Sequence, residues 1–213
     1  IDPSNISQYL KSLNNKEFFL IDKFTCSVFY KKLIKNRIKY LEKNDPIYIL
    51  KARKNSIEIN NSIKSHIFDG VALTKFIYWI KNNINRIKIT EISAKKKLEK
   101  FRKKNKKYKF SSFNTISGSG PNGAIVHYKA NEKSDRLIKK NDIYLCDSGG
   151  QYHYGTTDVT RTLCFTNPPN GIKNIFTRVL KGHIAVATYN LKSKTTGKEL
   201  DKVAREPLKK IGL

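Results

Sequence analysis

Residues 147–162 read DSGGQYHYGTTDVTRT, with the apolar runs IYLC at 143–146 before them and LCF at 163–165 after them. Two strand-forming runs around a turn-rich centre predict an antiparallel pair. Pairing about Tyr152 and His153 sets Asp147 directly opposite Asp158, so both carboxylates share one face with Cβ atoms ~4.5–5.5 Å apart. Like charges so placed repel each other, and a cation must compensate. Arg161 is one candidate, but its odd offset from Asp158 points it to the other face of the strand. A metal is the other. Carboxylate oxygens suit hard ions such as manganese or magnesium, and added imidazoles shift the choice toward manganese, cobalt or zinc. Aspartate is also common in turns for backbone reasons, so a purely structural role stays open beside the metal site.

Upstream, residues 117–130 read SGSGPNGAIVHYKA, in which Gly118, Gly120 and Gly123 spell G-x-G-x-x-G. A dinucleotide-binding loop needs its third glycine to open a helix whose N-terminus meets the pyrophosphate. Ala124–Tyr128 favours strand instead, and residues 129–141 are too polar to supply the crossover helix. The glycines are therefore expected to let a loop turn tightly into a strand, AIVHY, that delivers His127 to a site.

The rest of the chain falls into two parts. FFLIDKFTC (18–26) and PIYIL (46–50) are expected to be strands, separated by a helix through Phe29, Leu33, Ile34 and Ile38. That order suggests residues 1–54 as the end of an α/β domain. Asn55 with Glu58 makes a capping box, after which Ile59, Ile63, Ile67, Gly70, Leu73, Ile77, Ile80 and Ile84 mark one face of a long helix. A second helix starts near Thr90 with Glu91 in its first turn and Ile92, Leu98 and Phe101 inward. Strands follow Tyr108. Helical spacing returns from Ile175 to Tyr189 and again from 197, with Pro207 expected to kink or end the last helix. Residues 55–213 thus read as an α+β domain.

The chain has 213 residues, 43 basic and 17 acidic, for a net charge of +26. Lysine is spread along its whole length with Asn and Ile, as an AT-rich coding sequence would produce, so the charge is read as solvated and not as a nucleic-acid footprint. The densest cluster, KKKLEKFRKKNKKYK at 95–109, is read as a solvated helix end and loop. Cys26, Cys146 and Cys164 lack disulfide or zinc-knuckle spacing and are expected as reduced thiols. No run approaches the length of a membrane span, and the first residues lack a signal pattern. A cytoplasmic chain is expected, or another compartment if a targeting segment lies upstream.

The stretches ISGSGPNGAIVHY (116–128), YLCDSGGQYHYGTTDVTRT (144–162) and TRVLKGHIAV (177–186) closely resemble aminopeptidase P, the Xaa-Pro aminopeptidases among the pita-bread metallopeptidases. The earlier NSIEIN, KSHIFDGVAL and TEISAKKKLEKFR resemble the first two helices of the same catalytic domain. The resemblance implies an α+β pita-bread (creatinase/aminopeptidase-like) domain, of which residues 55–213 form the N-terminal part. It implies release of the N-terminal residue from peptides with proline second, two divalent ions, expected to be Mn²⁺, and a homodimer in the complete enzyme. By the same resemblance Asp147 and Asp158 match the first two of five metal ligands, Asp158 bridging both ions. His127 matches the histidine beside the scissile carbonyl. None of His66, His153 and His183 matches the remaining histidine ligand; that residue and two glutamates are expected beyond Leu213, and the 213 residues alone are expected to be inactive. The alternatives are prolidase or another pita-bread peptidase, or an inactive module of this fold that binds nucleic acid or protein.

Overall fold

The computed structural model describes residues 2–14, 16, 18–35, 37–169 and 171–213, which divide into two compact units, 1–59 and 60–213.

In the first unit, α1 (Ile6–Ser12), β1 (Phe18–Ile21), α2 (Val28–Lys35), β2 (Lys39–Glu42) and α3 (Ile47–Ala52) follow in order. β1 and β2 pair in parallel, Phe18 opposite Lys39 and Ile21 opposite Glu42. Leu10, Ile21, Ile34 and Ile38 form the core. The strand–helix–strand order holds, but the second strand is KYLE and not PIYIL. The latter is helical: Asp45 Oδ1 accepts the Ile47 N–H at 2.9 Å, and Pro46 presets a helical φ at the helix start.

The second unit carries the site. α4 runs from Ser56 to Asn83 and begins with the expected capping box, Asn55 Oδ1 accepting from Glu58 N and Glu58 Oε2 from Asn55 N. Its buried face is Ser65, Asp69, Ala72, Leu73, Phe76 and Ile80. Ile63 and Ile67 of the expected stripe are exposed, because the helix is turned to bring Asp69 to a buried partner and Ser65 beneath Gly155. α5 (Glu91–Arg102) is capped by Thr90, and Ala94 and Leu98 join Leu73, Phe76, Ile80, Ile89, Ile138, Tyr144 and Cys146 in the main core.

Two three-stranded antiparallel sheets follow. One orders β3 (Tyr108–Ser111), β6 (Gly150–Tyr152) and β7 (Gly155–Thr156). The other places β5 (Ile143–Ser148) between β4 (Ile116–Ser119) and β8 (Val159–Cys164). The chain passes from β5 to β6 through Gly149, where an added Cβ would lie 1.9 Å from Thr157 O and 2.2 Å from Ser112 Oγ. Only glycine permits that approach. α6 (Ile172–Ala187) and α7 (Gly197–Lys209) close the sequence, and α7 continues through Pro207 into its last turn.

The expected strand AIVHY does not form. After β4 the chain folds into a 3-10 turn, Gly120–Ala124, in which Gly118 approaches Gly123 so closely that a Cβ on Gly118 would lie 2.9 Å from the Gly123 backbone. Ile125 and Val126 are exposed, and Tyr128 turns inward to buried hydrogen-bond partners. Those tertiary bonds override the strand preference of the side chains. The G-x-G-x-x-G is a tight turn leading to no helix.

Candidate metal centre

β5 alternates strictly. Tyr144, Cys146 and Ser148 are buried on the side of α4 and α5, while Ile143, Leu145 and Asp147 point to the opposite face. The β5–β8 register places Asp147 opposite Thr160 and Ser148 opposite Val159, and the β6–β7 register places Tyr152 opposite Gly155. The hairpin therefore turns at His153 and Tyr154, one residue later than expected, and the direct Asp147–Asp158 opposition is corrected to a diagonal one. Moving the turn centre by one residue shifts the pairing by two, which preserves the face. Asp158 lies immediately before β8, two residues ahead of the Thr160 that pairs with Asp147. Arg161 pairs in the row of Cys146, on the other side.

The two acids differ in surroundings. Oδ1 of Asp147 is buried and has no hydrogen-bond partner among the described residues. A buried carboxylate oxygen left bare is costly unless a cation or donor meets it. Asp158 is exposed and lines a groove of about 840 Å³ between β8 and α6, together with Thr160, Phe176 and His183. Among the described residues no three His, Cys, Asp or Glu side chains cluster in a way that could hold a metal ion. A pair of carboxylates, one with an orphaned oxygen, fits part of a divalent-ion site built from hard oxygen ligands. His153 is exposed at the hairpin tip, and His66 Nδ1 is 2.8 Å from Ser62 O on the surface of α4.

Beneath the carboxylates lies a polar cluster that sequence reasoning missed. Arg102 Nε donates to Asp69 Oδ1 at 2.7 Å, and Arg102 Nη2 donates to Asp69 Oδ2 and to Ser148 Oγ, each at 3.0 Å. Tyr152 OH donates to Asp69 Oδ1 at 2.7 Å. Burial alone would raise the Asp69 pKa, but the Arg102 hydrogen bonds and charge, with the Tyr152 hydroxyl, hold it below the ordinary value. Thr157, next to Asp158, accepts from Gly150 N through Oγ1 and from Ser112 Oγ through its carbonyl, both at 2.9 Å. The residues flanking both carboxylates, Ser148 and Thr157, are thus tied from below. Burial also pushes the Cys146 thiol up to about 11, so it stays neutral beside this cluster. One signal was visible: Asp69 is the sole acid between Glu58 and Glu91.

His127 sits in the loop after β4, exposed and with φ at 55°. The loop is tied to Glu91, a fully buried residue at the start of α5.

The sequence profile of metallopeptidase family M24 matches residues 61–213, most of the chain. The chain belongs to metallopeptidase family M24. Among curated relatives of this M24 chain, the Xaa-Pro aminopeptidase ApepP of Drosophila melanogaster is 43% identical over 188 residues, covering 88% of this chain and 31% of the relative. Among solved structures, the X-prolyl aminopeptidase of Caenorhabditis elegans, described as a cytosolic enzyme with a di-nuclear active site, superposes with a TM-score of 0.86 at 33% identity, covering 99% of this chain and 35% of that one. The prolidase of Pyrococcus furiosus gives 0.76 at 26% identity, covering 99% and 59%. The M24 chain therefore has the α+β pita-bread architecture, and it spans about a third of the length of the curated relatives it matches.

Proposed function

We propose that the protein carrying this chain is a metal-dependent aminopeptidase that releases the N-terminal residue from peptides with proline at the second position. The observation that carries this reading is the buried Asp147 oxygen that lacks a partner among the described residues, on a strand paired with the one that follows Asp158, in a chain 43% identical to a Xaa-Pro aminopeptidase. We read residues 1–54 as the end of a preceding α/β domain and 55–213 as the first part of the catalytic domain. The division of the chain after Ile59 and the profile match from residue 61 support that boundary.

Asp147 and Asp158 would contribute to holding two divalent ions, taken to be manganese, together with further ligands of the full-length protein. When bound, the ions supply Lewis acidity to the scissile carbonyl. His127, exposed on its loop, is read as donating a hydrogen bond from its imidazole to the carbonyl oxygen as charge develops there. A cytoplasmic homodimer acting on peptides accompanies this reading. No helix among the described residues is long and apolar enough to cross a membrane.

The test is hydrolysis by the full-length protein, reconstituted with Mn²⁺, of peptides with proline second. Release of the first residue from tripeptides and longer peptides supports the proposal, whereas cleavage confined to Xaa-Pro dipeptides would replace it with prolidase. Absence of hydrolysis after reconstitution would overturn it.

A further inference from the structure

Glu91 was expected to sit in the first turn of a helix as a favourable charge, and it does more than that. Its side chain is fully buried, and its two oxygens collect donors from three separate parts of the following segment. Oε1 accepts from Ser119 N at 2.7 Å and Asn122 Nδ2 at 3.1 Å. Oε2 accepts from Tyr128 OH at 2.8 Å, Asn122 Nδ2 at 3.2 Å and Arg136 N at 3.2 Å. The Glu91 backbone joins in, its N–H donating to Arg136 O at 3.0 Å and its carbonyl accepting from Ser117 Oγ at 2.8 Å.

These anchors bracket His127. Asn122 lies before it and Tyr128 directly after it, and both reach the same carboxylate. Between them Ile125, Val126 and His127 are exposed, with His127 at a φ of 55°, in the left-handed region that few residues other than glycine adopt. Without the Glu91 acceptor the Tyr128 hydroxyl keeps only Ser134, whose carbonyl and Oγ lie at 3.0 and 3.1 Å, and Asn122 Nδ2 loses both carboxylate oxygens.

We propose that Glu91 is the positioning residue for His127: by accepting from Asn122 and Tyr128 it fixes where the imidazole stands relative to a substrate carbonyl. The proposal rests on the function proposed above. A catalytic group must be held within about 0.5 Å of its productive place, and misplacement by ~1 Å costs on the order of 10²-fold. The Glu91–Tyr128 bond is where that tolerance is set.

The decisive variant is Tyr128→Phe in the full-length protein, which removes one hydroxyl and keeps the buried ring; Glu91→Gln is its companion. With Mn²⁺-reconstituted enzyme and a peptide with proline second, Tyr128→Phe should lower kcat at least tenfold, with KM within about twofold and metal content unchanged. In a His127→Ala background the same change should cost less than twofold further, because the residue it positions is already gone. Hydrogen exchange of residues 123–130 should rise at least tenfold while the β5 and β8 amides keep their protection. Full turnover in Tyr128→Phe, or a loss that multiplies undiminished with that of His127→Ala, overturns the proposal. If wild-type protein hydrolyses no such peptide, the functional reading fails by itself, and the exchange arm still decides whether Glu91 holds the His127 loop. Because the Tyr128 hydroxyl also donates to Ser134, Ser134→Ala completes the test if Glu91→Gln does not fold: kcat within about twofold of wild type supports Glu91 as the tether, and a loss equal to that of Tyr128→Phe overturns the proposal.

Discussion

Arg102 and Asp69 meet through two charge-assisted hydrogen bonds, Nε to Oδ1 at 2.7 Å and Nη2 to Oδ2 at 3.0 Å, with both side chains only 1% exposed. The pair joins α5 to α4, and through Ser148 it reaches the strand that carries Asp147. Breaking such a pair from one side leaves an uncompensated buried charge. Asp69→Ala should therefore destabilise the fold by about 3–5 kcal/mol. Denaturant unfolding of the full-length variant checks this, and a loss below ~1 kcal/mol would show that Arg102 finds another partner.

The same pair predicts an acid dependence. Asp69 has its folded pKa depressed, Arg102 and Tyr152 outweighing the effect of burial. A depressed carboxyl contributes stability that is present above its unfolded pKa of ~3.9 and is lost as pH falls through the lower folded value. Below about pH 4 the wild type should lose stability more steeply than Asp69→Asn, which has no proton to bind there. Parallel acid limbs for the two proteins would contradict the assignment.

Gly149→Ala tests the link between the two sheets. Its Cβ would overlap Thr157 O and Ser112 Oγ, so Ser148 and Thr157 must separate, and the carboxylates beside them with them. The expected cost is ~1–3 kcal/mol of stability. Mn²⁺ affinity of the full-length protein, measured by titration, should fall as well. Unchanged affinity would mean that the Asp147–Asp158 spacing does not depend on this crossing.

Asp158 and His127 should separate metal binding from turnover. Asp158→Ala in the full-length protein is expected to abolish hydrolysis and to lower bound metal. His127→Ala should keep its metal and lose ~10²–10³-fold in kcat, the usual effect of removing one donor to a developing oxyanion. Metal analysis beside kinetics distinguishes the two, and retained metal in Asp158→Ala would remove that residue from the ligand set.

Much of this organisation was legible in residues 1–213 because it depends on local chemistry. The capping box at Asn55, the helix start near Thr90, the glycine turn that opens no crossover helix, and the antiparallel pairing of the strand that carries Asp147 with the one that follows Asp158 follow from spacing and backbone preference. A hairpin centred one residue too early moved the register by two, the period on which side chains in strands repeat, so Asp147 faces Thr160.

Long-range partners were beyond that reach. Nothing local says that Ile63 and Ile67 face outward while Asp69 faces in, that Arg102 leaves a run of solvated lysines to be buried, or that Glu91 serves as acceptor for a distant loop. AIVHY has the composition of a strand, yet lies in a loop because the Tyr128 hydroxyl and Asn122 amide donate to Glu91, while both edges of β5 are already paired with β4 and β8. Composition and periodicity set which elements could form and which side chains could share a face. Which polar groups were buried was decided only in three dimensions, because a buried charge is tolerated where its partners converge, and here those partners come from segments far apart in the chain.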